Sequence, residues 1–321
     1  MVSSAFVSTV GPSVFQGESL SLPPDYINPL YSYILKPAHL VLLIRYGPPM
    51  HLPSALLRLF SSTATVMSAT GLSTIARYAI RSSAGSNKLF SLVISGGSVV
   101  DFTYNDGKNA AIVNAANEGC LGGGGVDGAI SDAGGPNLLA DRMDLPFAKV
   151  GGRTRNGVRC PTGEAVITGP GDYGDLGVSY VIHAVGPNYM MYDNDDDSDS
   201  CEEGKMTNTN TLTSGYDAGD RLLRSAYVDS MRKAAEHGLA AVAFSLISSG
   251  IFRGRHSKKE VLKIGIEGIT QNIVEVMAAL AERDGGAASL STLEEVHLCA
   301  FNAEEARLLT EICGELGLEK E

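Results

Sequence analysis

The run Ala111-Ile-Val-Asn-Ala-Ala-Asn117, followed after four residues by Gly122-Gly-Gly-Gly-Val-Asp-Gly-Ala-Ile130, constrains this chain more than any other feature. It reads as a buried strand entering a glycine loop that opens a helix. Glycines let an anion approach backbone N–H groups because no Cβ stands in the way, and the helix N-terminus adds a partial positive charge. Gly122, Gly123, Gly124, Gly125 and Val126 are therefore candidate phosphate-binding positions. A flexible turn with Asp127 as helix cap is the bland reading of the same residues, and four successive glycines fit it poorly.

From about residue 89 the chain alternates strand-like and helix-like segments, an α/β signature. Strands are predicted at residues 89–94, 99–102, 110–114, 164–168, 180–184, 241–247 and 295–301. Helices are predicted at 125–133, 217–237, 257–281 and 303–316, with Gly238 a C-terminal stop. The folded domain is accordingly placed at 89–318. An insertion at about 193–215 interrupts it: seven acidic residues lie between Asp193 and Glu203, and a Thr- and Asn-rich stretch follows. That composition buries too little apolar surface to fold alone, so it reads as a surface insertion. A charged lid or a docking site for a basic partner is the sharper alternative.

Residues 1–88 form an N-terminal extension. Between Tyr26 and Val100 there is no Asp or Glu, while Lys36, Arg45, Arg58, Arg77, Arg81 and Lys88 lie among Ser, Thr, Pro and Ala. Organelle import segments have this composition. Residues 56–60 and 72–80 each read as a short basic amphipathic helix, with Arg77 and Arg81 on one face. Two readings stand: a mitochondrial or plastid transit segment, or a disordered extension with translation starting at Met50 or Met67. The second leaves the cytoplasm or nucleus as the compartment.

A net charge of −11 argues against duplex nucleic acid as a partner, so a phosphate-bearing ligand must be held locally. No apolar run is long enough to span a bilayer. Five scattered cysteines without CxxC spacing suggest neither a disulfide framework nor a zinc cluster, and point to a reducing compartment. No cofactor or metal is expected, and the chain is expected to be a monomer.

NAAN at 114–117, GGGGVDGAI at 122–130 and Cys160-Pro-Thr-Gly-Glu164 occur in the order and spacing of MacroD-type macrodomains, which the chain resembles over residues 89–316. The segment Tyr180-Val-Ile-His-Ala-Val-Gly-Pro187 is similar to that family's next strand and turn. AVAFSLISSGIF at 241–252 is similar to its later strand and second phosphate loop. The resemblance implies a three-layer α/β/α fold with a central mixed sheet and an ADP-ribose cleft at the strand ends. It implies that Asp101 accepts from the adenine amino group, and that Phe301 and Asn302 lie beside adenine, with core packing an equal alternative for Phe301. Asn114 and Asn117 would line the cleft, Asn117 bonding ribose hydroxyls and forming the catalytic pair with Asp127. Asp127 would sit at the distal ribose, orienting or deprotonating a water that attacks the anomeric carbon; in a second mechanism a ligand phosphate positions that water. Ser248, Ser249 and Gly250 would offer N–H donors to the diphosphate, Ile251 would cover it, and Phe252 would pack on the distal ribose.

The partners so implied are ADP-ribose or mono-ADP-ribosylated proteins. The implied activity is hydrolysis of mono-ADP-ribose from Asp or Glu esters, with O-acetyl-ADP-ribose deacetylation beside it; a non-catalytic ADP-ribose reader is the alternative. Two departures favour the reader: Ser131 stands where many relatives have histidine, and Arg253-Gly-Arg-His256 replaces a Gly-Tyr-Pro-like continuation. Arg253 and Arg255 read as solvent-facing or as contacts to phosphate or an acidic substrate. His183, inside an apolar strand, reads as a hydrogen-bonded core histidine. Cys120 and Cys160 lack the partners of a nucleophilic thiol, and Thr162, Gly163 and Glu164 read as turn residues. A dehydrogenase or nucleoside triphosphatase is disfavoured: VDG, not GK and Ser or Thr, follows the glycines. Asp141 and Asp144 lie in no convincing second strand.

Overall fold

The computed structural model describes residues 32–35, 42–45, 71–81, 88–192, 216–273 and 292–321. The chain divides into two compact units, Met1–Val66 and Met67–Glu321. In the first, β1 (Ser32–Leu35) pairs antiparallel with β2 (Leu42–Arg45). The remaining residues of the import-type segment, including 56–60, and the acidic insertion at 193–215 lie outside the described residues. Among the described residues no helix is long and apolar enough to cross a membrane.

The second unit runs β3 (Ser73–Arg81), β4 (Lys88–Gly96), β5 (Ala110–Ala115), α1 (Val126–Asp144), then a small hairpin of β6 (Lys149–Val150) and β7 (Arg153–Thr154). It continues with β8 (Ala165–Thr168), β9 (Tyr180–Ala184), α2 (Asp217–Glu236), β10 (Ala241–Phe244), α3 (Lys258–Glu267), β11 (Glu295–Ala300), α4 (Ala303–Glu315) and β12 (Glu319–Lys320). Eight strands form one mixed sheet in the order β12-β3-β4-β11-β10-β5-β9-β8. The five from β4 to β9 are mutually parallel, and the flanking pairs are antiparallel.

Both faces of this sheet are covered, which is why its central strands read as unbroken apolar runs. On β5, Ala111 and Val113 face a core shared with Leu223, Tyr227 and Met231 of α2, Val261 of α3 and Leu309 of α4. Ala110 and Ile112 face the opposite core, with Ile130 and Leu138 of α1. The architecture is thus the three-layer α/β/α arrangement with a mixed sheet that the resemblance implied. Parallel strands carry one consequence for function: their carboxyl ends share one edge, and loops leaving that edge converge.

Several expectations need correction. Residues 72–80 are not a helix but part of strand β3, because Ala76, Tyr78 and Ile80 alternate inward while Ser73, Ile75 and Arg77 do not. Residues four apart share a face in a strand as well as in a helix. Arg77 reaches Glu321 at 3.3 Å and Arg81 reaches Glu319 at 2.8 Å, binding the C-terminal strand. The sheet therefore begins at Ser73, ahead of the expected boundary at 89. Residues 99–102 form a single 3-10 turn, Val99–Asp101, in place of a strand. Strand β10 ends at Phe244, short of residue 247. The helix expected at 257–281 is α3 followed by a π turn, Gly268–Asn272, and its end falls outside the described residues.

The helix expected at 125–133 extends to Asp144 through a break at Gly135 (φ 62°, ψ −159°), after which Pro136 begins the second segment. At the break the Ala133 carbonyl is taken up by Asp175 N–H at 2.8 Å. The second segment is anchored by Leu138 in the core, by Asn137 donating to the Asp172 carbonyl and by Tyr173 donating to Asp141.

Strand β3 gives the fold its first test. Deleting it exposes the β4 edge and removes Tyr78 and Ile80, each worth about 1.5–3 kcal/mol of burial. A chain beginning at Leu89 is expected to melt at least roughly 10 °C below one beginning at Met67, or to aggregate. Equal melting temperatures by circular dichroism would remove β3 from the structural core.

Candidate functional site

Every loop that carries a candidate residue leaves the carboxyl end of a parallel strand. Asn114, at the end of β5, is fully buried. Its Nδ2 donates to Asp127 Oδ1 at 2.8 Å and lies 3.3 Å from His183 Nδ1. With both amide hydrogens so used, His183 accepts at Nδ1 and carries its proton on Nε2, 3.1 Å from Thr168 Oγ1. Burial, reinforced by the Arg142 charge, pushes His183 well below its ordinary value of 6.5. It is a neutral core histidine.

Asp127 is 3% exposed. Its helix is capped by Gly125 (φ 62°) without a side-chain cap bond, so the capping role allowed for Asp127 is not the one it plays. Its Oδ1 takes the Asn114 bond, and Arg142 Nη2 lies 3.4 Å away. Arg142 is 1% exposed, and Nη1 donates to Ser131 Oγ at 2.7 Å. Ser131 Oγ in turn donates to the Asp127 carbonyl at 2.7 Å. Burial lowers the guanidinium pKa from its ordinary value and Asp127 opposes that shift; an arginine stays charged at neutral pH. Asp127 Oδ2, Asn114 Oδ1 and Arg142 Nε and Nη2 have no hydrogen-bond partner among the described residues.

The glycine loop folds over this group. A Cβ on Gly123 would stand 3.0 Å from Asp127 Oδ2 and 3.2 Å from Asn117 Nδ2, so these two side chains bracket Gly123. Cβ positions on Gly124 and Gly125 meet nothing within 4 Å, which leaves the loop apex open. Asn117 spends its amide on the loop itself, Nδ2 donating to the Gly122 carbonyl (2.9 Å) and Oδ1 accepting from Gly119 N–H (3.0 Å). The CPTG turn braces the same loop: Thr162 N–H and Oγ1 both donate to Glu118 Oε1, at 3.1 and 3.2 Å. Glu164 is exposed, in keeping with a turn role.

The second loop begins with a residue that sequence reasoning passed over. Ser245 Oγ donates to the Val113 carbonyl (2.7 Å) and accepts from Ala115 N–H (3.0 Å), stitching β10 to the end of β5. Ser248 (φ 55°) and Ser249 turn their hydroxyls inward, onto the carbonyls of Pro187 and Leu246. What this loop can offer an anion is thus backbone N–H, not hydroxyl. Gly250 leads into the turn Ile251–Arg253, where Ile251 is 83% exposed and Phe252 is also exposed.

With this geometry in view, similarity to known proteins is informative. The Macro domain family profile matches residues 113–208 and 204–264. A protein named O-acetyl-ADP-ribose deacetylase 2, from Pantoea vagans, is 34% identical over 194 residues, 60% of this chain and 84% of that protein. A macro domain-containing protein of Caldanaerobacter subterraneus is 41% identical over 142 residues, 44% of this chain and 62% of that one. The Oceanobacillus iheyensis macrodomain solved with ADP matches the fold with TM-score 0.50 at 24% identity, covering 75% of this chain and 96% of that chain. The chain belongs to the macro domain family.

At the far end of this macro domain's strand edge, Asp101 is exposed in the turn after β4, and Phe301, 78% exposed, follows β11. Exposure decides against core packing for Phe301. Asn302 is a helix cap, its Oδ1 accepting from Glu305 N–H at 3.0 Å. Behind the second loop, His256 stacks on Tyr216 (4.4 Å, 5°), and Tyr189 packs edge-on against it. Asp220 Oδ1 receives the Tyr189 hydroxyl at 2.7 Å and lies 3.0 Å from His256 Nε2. Arg253 donates to the His256 carbonyl, so the departure at 253–256 builds a packed corner. Arg142, Ser245 and the Asp220–His256 pair were all missed. Gly134-Gly-Pro136 signals a helix break in the sequence, but not the direction in which it turns Arg142.

A neutral buried histidine makes the macro domain acid-sensitive. Below about pH 6.5 the unfolded chain binds a proton that folded His183 refuses, so stability present above that pH is lost as pH falls toward the depressed folded value. Urea melts at several pH values between about 7.5 and 5 are expected to show this decline, and His183→Gln to flatten it. An unchanged slope in the variant would exclude His183 as its source.

Proposed function

We propose that the loops at the carboxyl ends of the parallel strands bind ADP-ribose and that the protein hydrolyses mono-ADP-ribosyl esters of Asp or Glu, with O-acetyl-ADP-ribose as a second substrate. The observation that carries this reading is the state of Asp127. One carboxylate oxygen is fixed by Asn114, and the other, Oδ2, lies buried beside Gly123 of the glycine loop without a hydrogen-bond partner among the described residues. A carboxylate held by one oxygen keeps its second lone-pair set oriented for a water. The glycine loop and the turn at Gly250 have backbone donors suited to a diphosphate, and the exposure of Asp101 and Phe301 leaves both free to meet an adenine, as this reading requires. The family membership and the deacetylase name carried by the Pantoea vagans relative support the same reading.

In the hydrolysis of the Asp or Glu ester, water oriented by Asp127 Oδ2 attacks the anomeric carbon, the anomeric C–O bond breaks toward the carboxylate leaving group, and Asp127 receives the proton. Such general-base assistance is worth about 10²- to 10⁴-fold. One observation favours a reader that binds without turnover: Asn117, assigned to ribose hydroxyls, has its amide committed to the loop.

The decisive experiment measures release of ADP-ribose from a protein modified on carboxylates, alongside ADP-ribose binding. Asp127→Ala and Asp127→Asn both remove the counter-charge of buried Arg142, at an expected cost of about 3–5 kcal/mol, but Asp127→Asn keeps the shape and an acceptor oxygen for Asn114 and is the cleaner variant once a melting curve shows that it folds. Release is expected to fall at least about 10²-fold with binding retained. Binding by the unaltered protein without any release would establish the reader instead.

A further inference from the structure

Arg142 is the charged group closest to the candidate chemistry that no motif explains. It lies 11 residues from Ser131 on the same helix, which in a straight helix is about 16 Å of rise, beyond the reach of an arginine side chain. The break at Gly135 folds the second half of α1 back, and only then do Nη1 and Ser131 Oγ meet at 2.7 Å. Gly174 permits this fold, since a Cβ there would stand 2.5 Å from the Ala133 carbonyl at the break. Guanidinium and Asp127 carboxylate are both almost wholly buried, and each retains a nitrogen or oxygen without a hydrogen-bond partner among the described residues. A guanidinium taken this far out of water, on a kinked helix anchored by Tyr173–Asp141 and Asn137–Asp172, is a costly arrangement. It has a clear beneficiary in the carboxylate beside the glycine loop.

We propose that Arg142 is a positioning residue: through its pairing with Asp127 and its bond to Ser131 it fixes the carboxylate so that Oδ2 faces the distal ribose and the attacking water. The proposal rests on the ADP-ribose reading above. Ser131, where a histidine was expected, is then the oxygen that orients the guanidinium from one side while donating to the Asp127 carbonyl on the other.

The test compares the unaltered chain with Arg142→Met, Arg142→Lys, Ser131→Ala and the double variant Arg142→Met/Asp127→Asn, after melting curves have shown which fold. ADP-ribose release from a carboxylate-modified protein gives kcat and KM, and calorimetry gives the affinities for ADP-ribose and ADP. Arg142→Met is expected to lower kcat at least about tenfold with a smaller change in KM, and Arg142→Lys to recover part of the loss. Adding Arg142→Met to Asp127→Asn is expected to cost less than about twofold more, because the carboxylate it positions is already gone. If Arg142→Met does not fold, Ser131→Ala carries the test, with kcat lowered more than KM. A folded Arg142→Met with kcat within about twofold of the unaltered chain, or a full multiplicative loss in the double variant, overturns the proposal. If the unaltered chain binds but releases nothing, the hydrolase reading fails by itself. The proposal then stands or falls on whether Arg142→Met lowers the preference for ADP-ribose over ADP at least about threefold.

Discussion

Taking the Asp127 carboxylate out of water is costly unless charge and hydrogen bonds replace its hydration, and much of this fold's interior is arranged around that requirement. Asn114 bonds one oxygen from the end of β5, Arg142 supplies the opposite charge from the far half of α1, and Ser131 ties the guanidinium back to the helix. None of these groups lies within one helical turn of another except Asp127 and Ser131. The group therefore holds together only if β5, the glycine loop and both halves of α1 are all in place.

A second line of bonds leads away from the same point. Asn114 can bridge Asp127 and His183 only while His183 accepts at Nδ1, and its burial keeps it neutral and able to do so. Thr168 fixes the tautomer from β8. The orientation of one carboxylate thus depends on three strands, β5, β9 and β8, in register, and the backbone stitching of Ser245 extends that dependence to β10. Such networks are rigid because each member lacks an alternative partner in a low-dielectric interior.

What the sequence disclosed follows from what each feature depends on. The central strands were legible because burial on both faces gives continuous apolar runs, and the glycine loop because positive φ at Gly122 and Gly125 and the close approach of Gly123 to Asp127 and Asn117 restrict residue type at successive positions. Strand β3 was misread as a helix. Its pattern, Ala76, Tyr78 and Ile80 inward with Arg77 and Arg81 outward, is compatible with an amphipathic helix over so short a span, and its acidic partners Glu319 and Glu321 are more than 200 residues away. The turn at Val99–Asp101 was misread because Val99 and Phe102 are buried as a strand's residues would be. Asn302 caps α4 through Oδ1, a role its spacing from Glu305 already allowed and the sequence reading did not name. Arg142 lay beyond reach of pattern altogether, since its partners are set by a helix break whose direction no local propensity encodes.

The pairing of Arg142 with Asp127 also bears on how an acidic protein holds an anion. A lone carboxylate beneath a phosphate loop would repel a diphosphate about 4 Å away by roughly 4 kcal/mol at an effective dielectric of 20. Surface carboxylates responsible for most of the net charge of −11 are farther off and screened over a Debye length of about 8–10 Å. The near charge decides the sign of the local field, and a guanidinium 3.4 Å from Asp127 cancels it. The exposed backbone of Gly123, Gly124 and Gly125 and the N-terminus of α1 are then left to act on an anion without a competing negative charge below them. A carboxylate suited to orienting water and a loop suited to binding phosphate can occupy adjacent positions only under that cancellation.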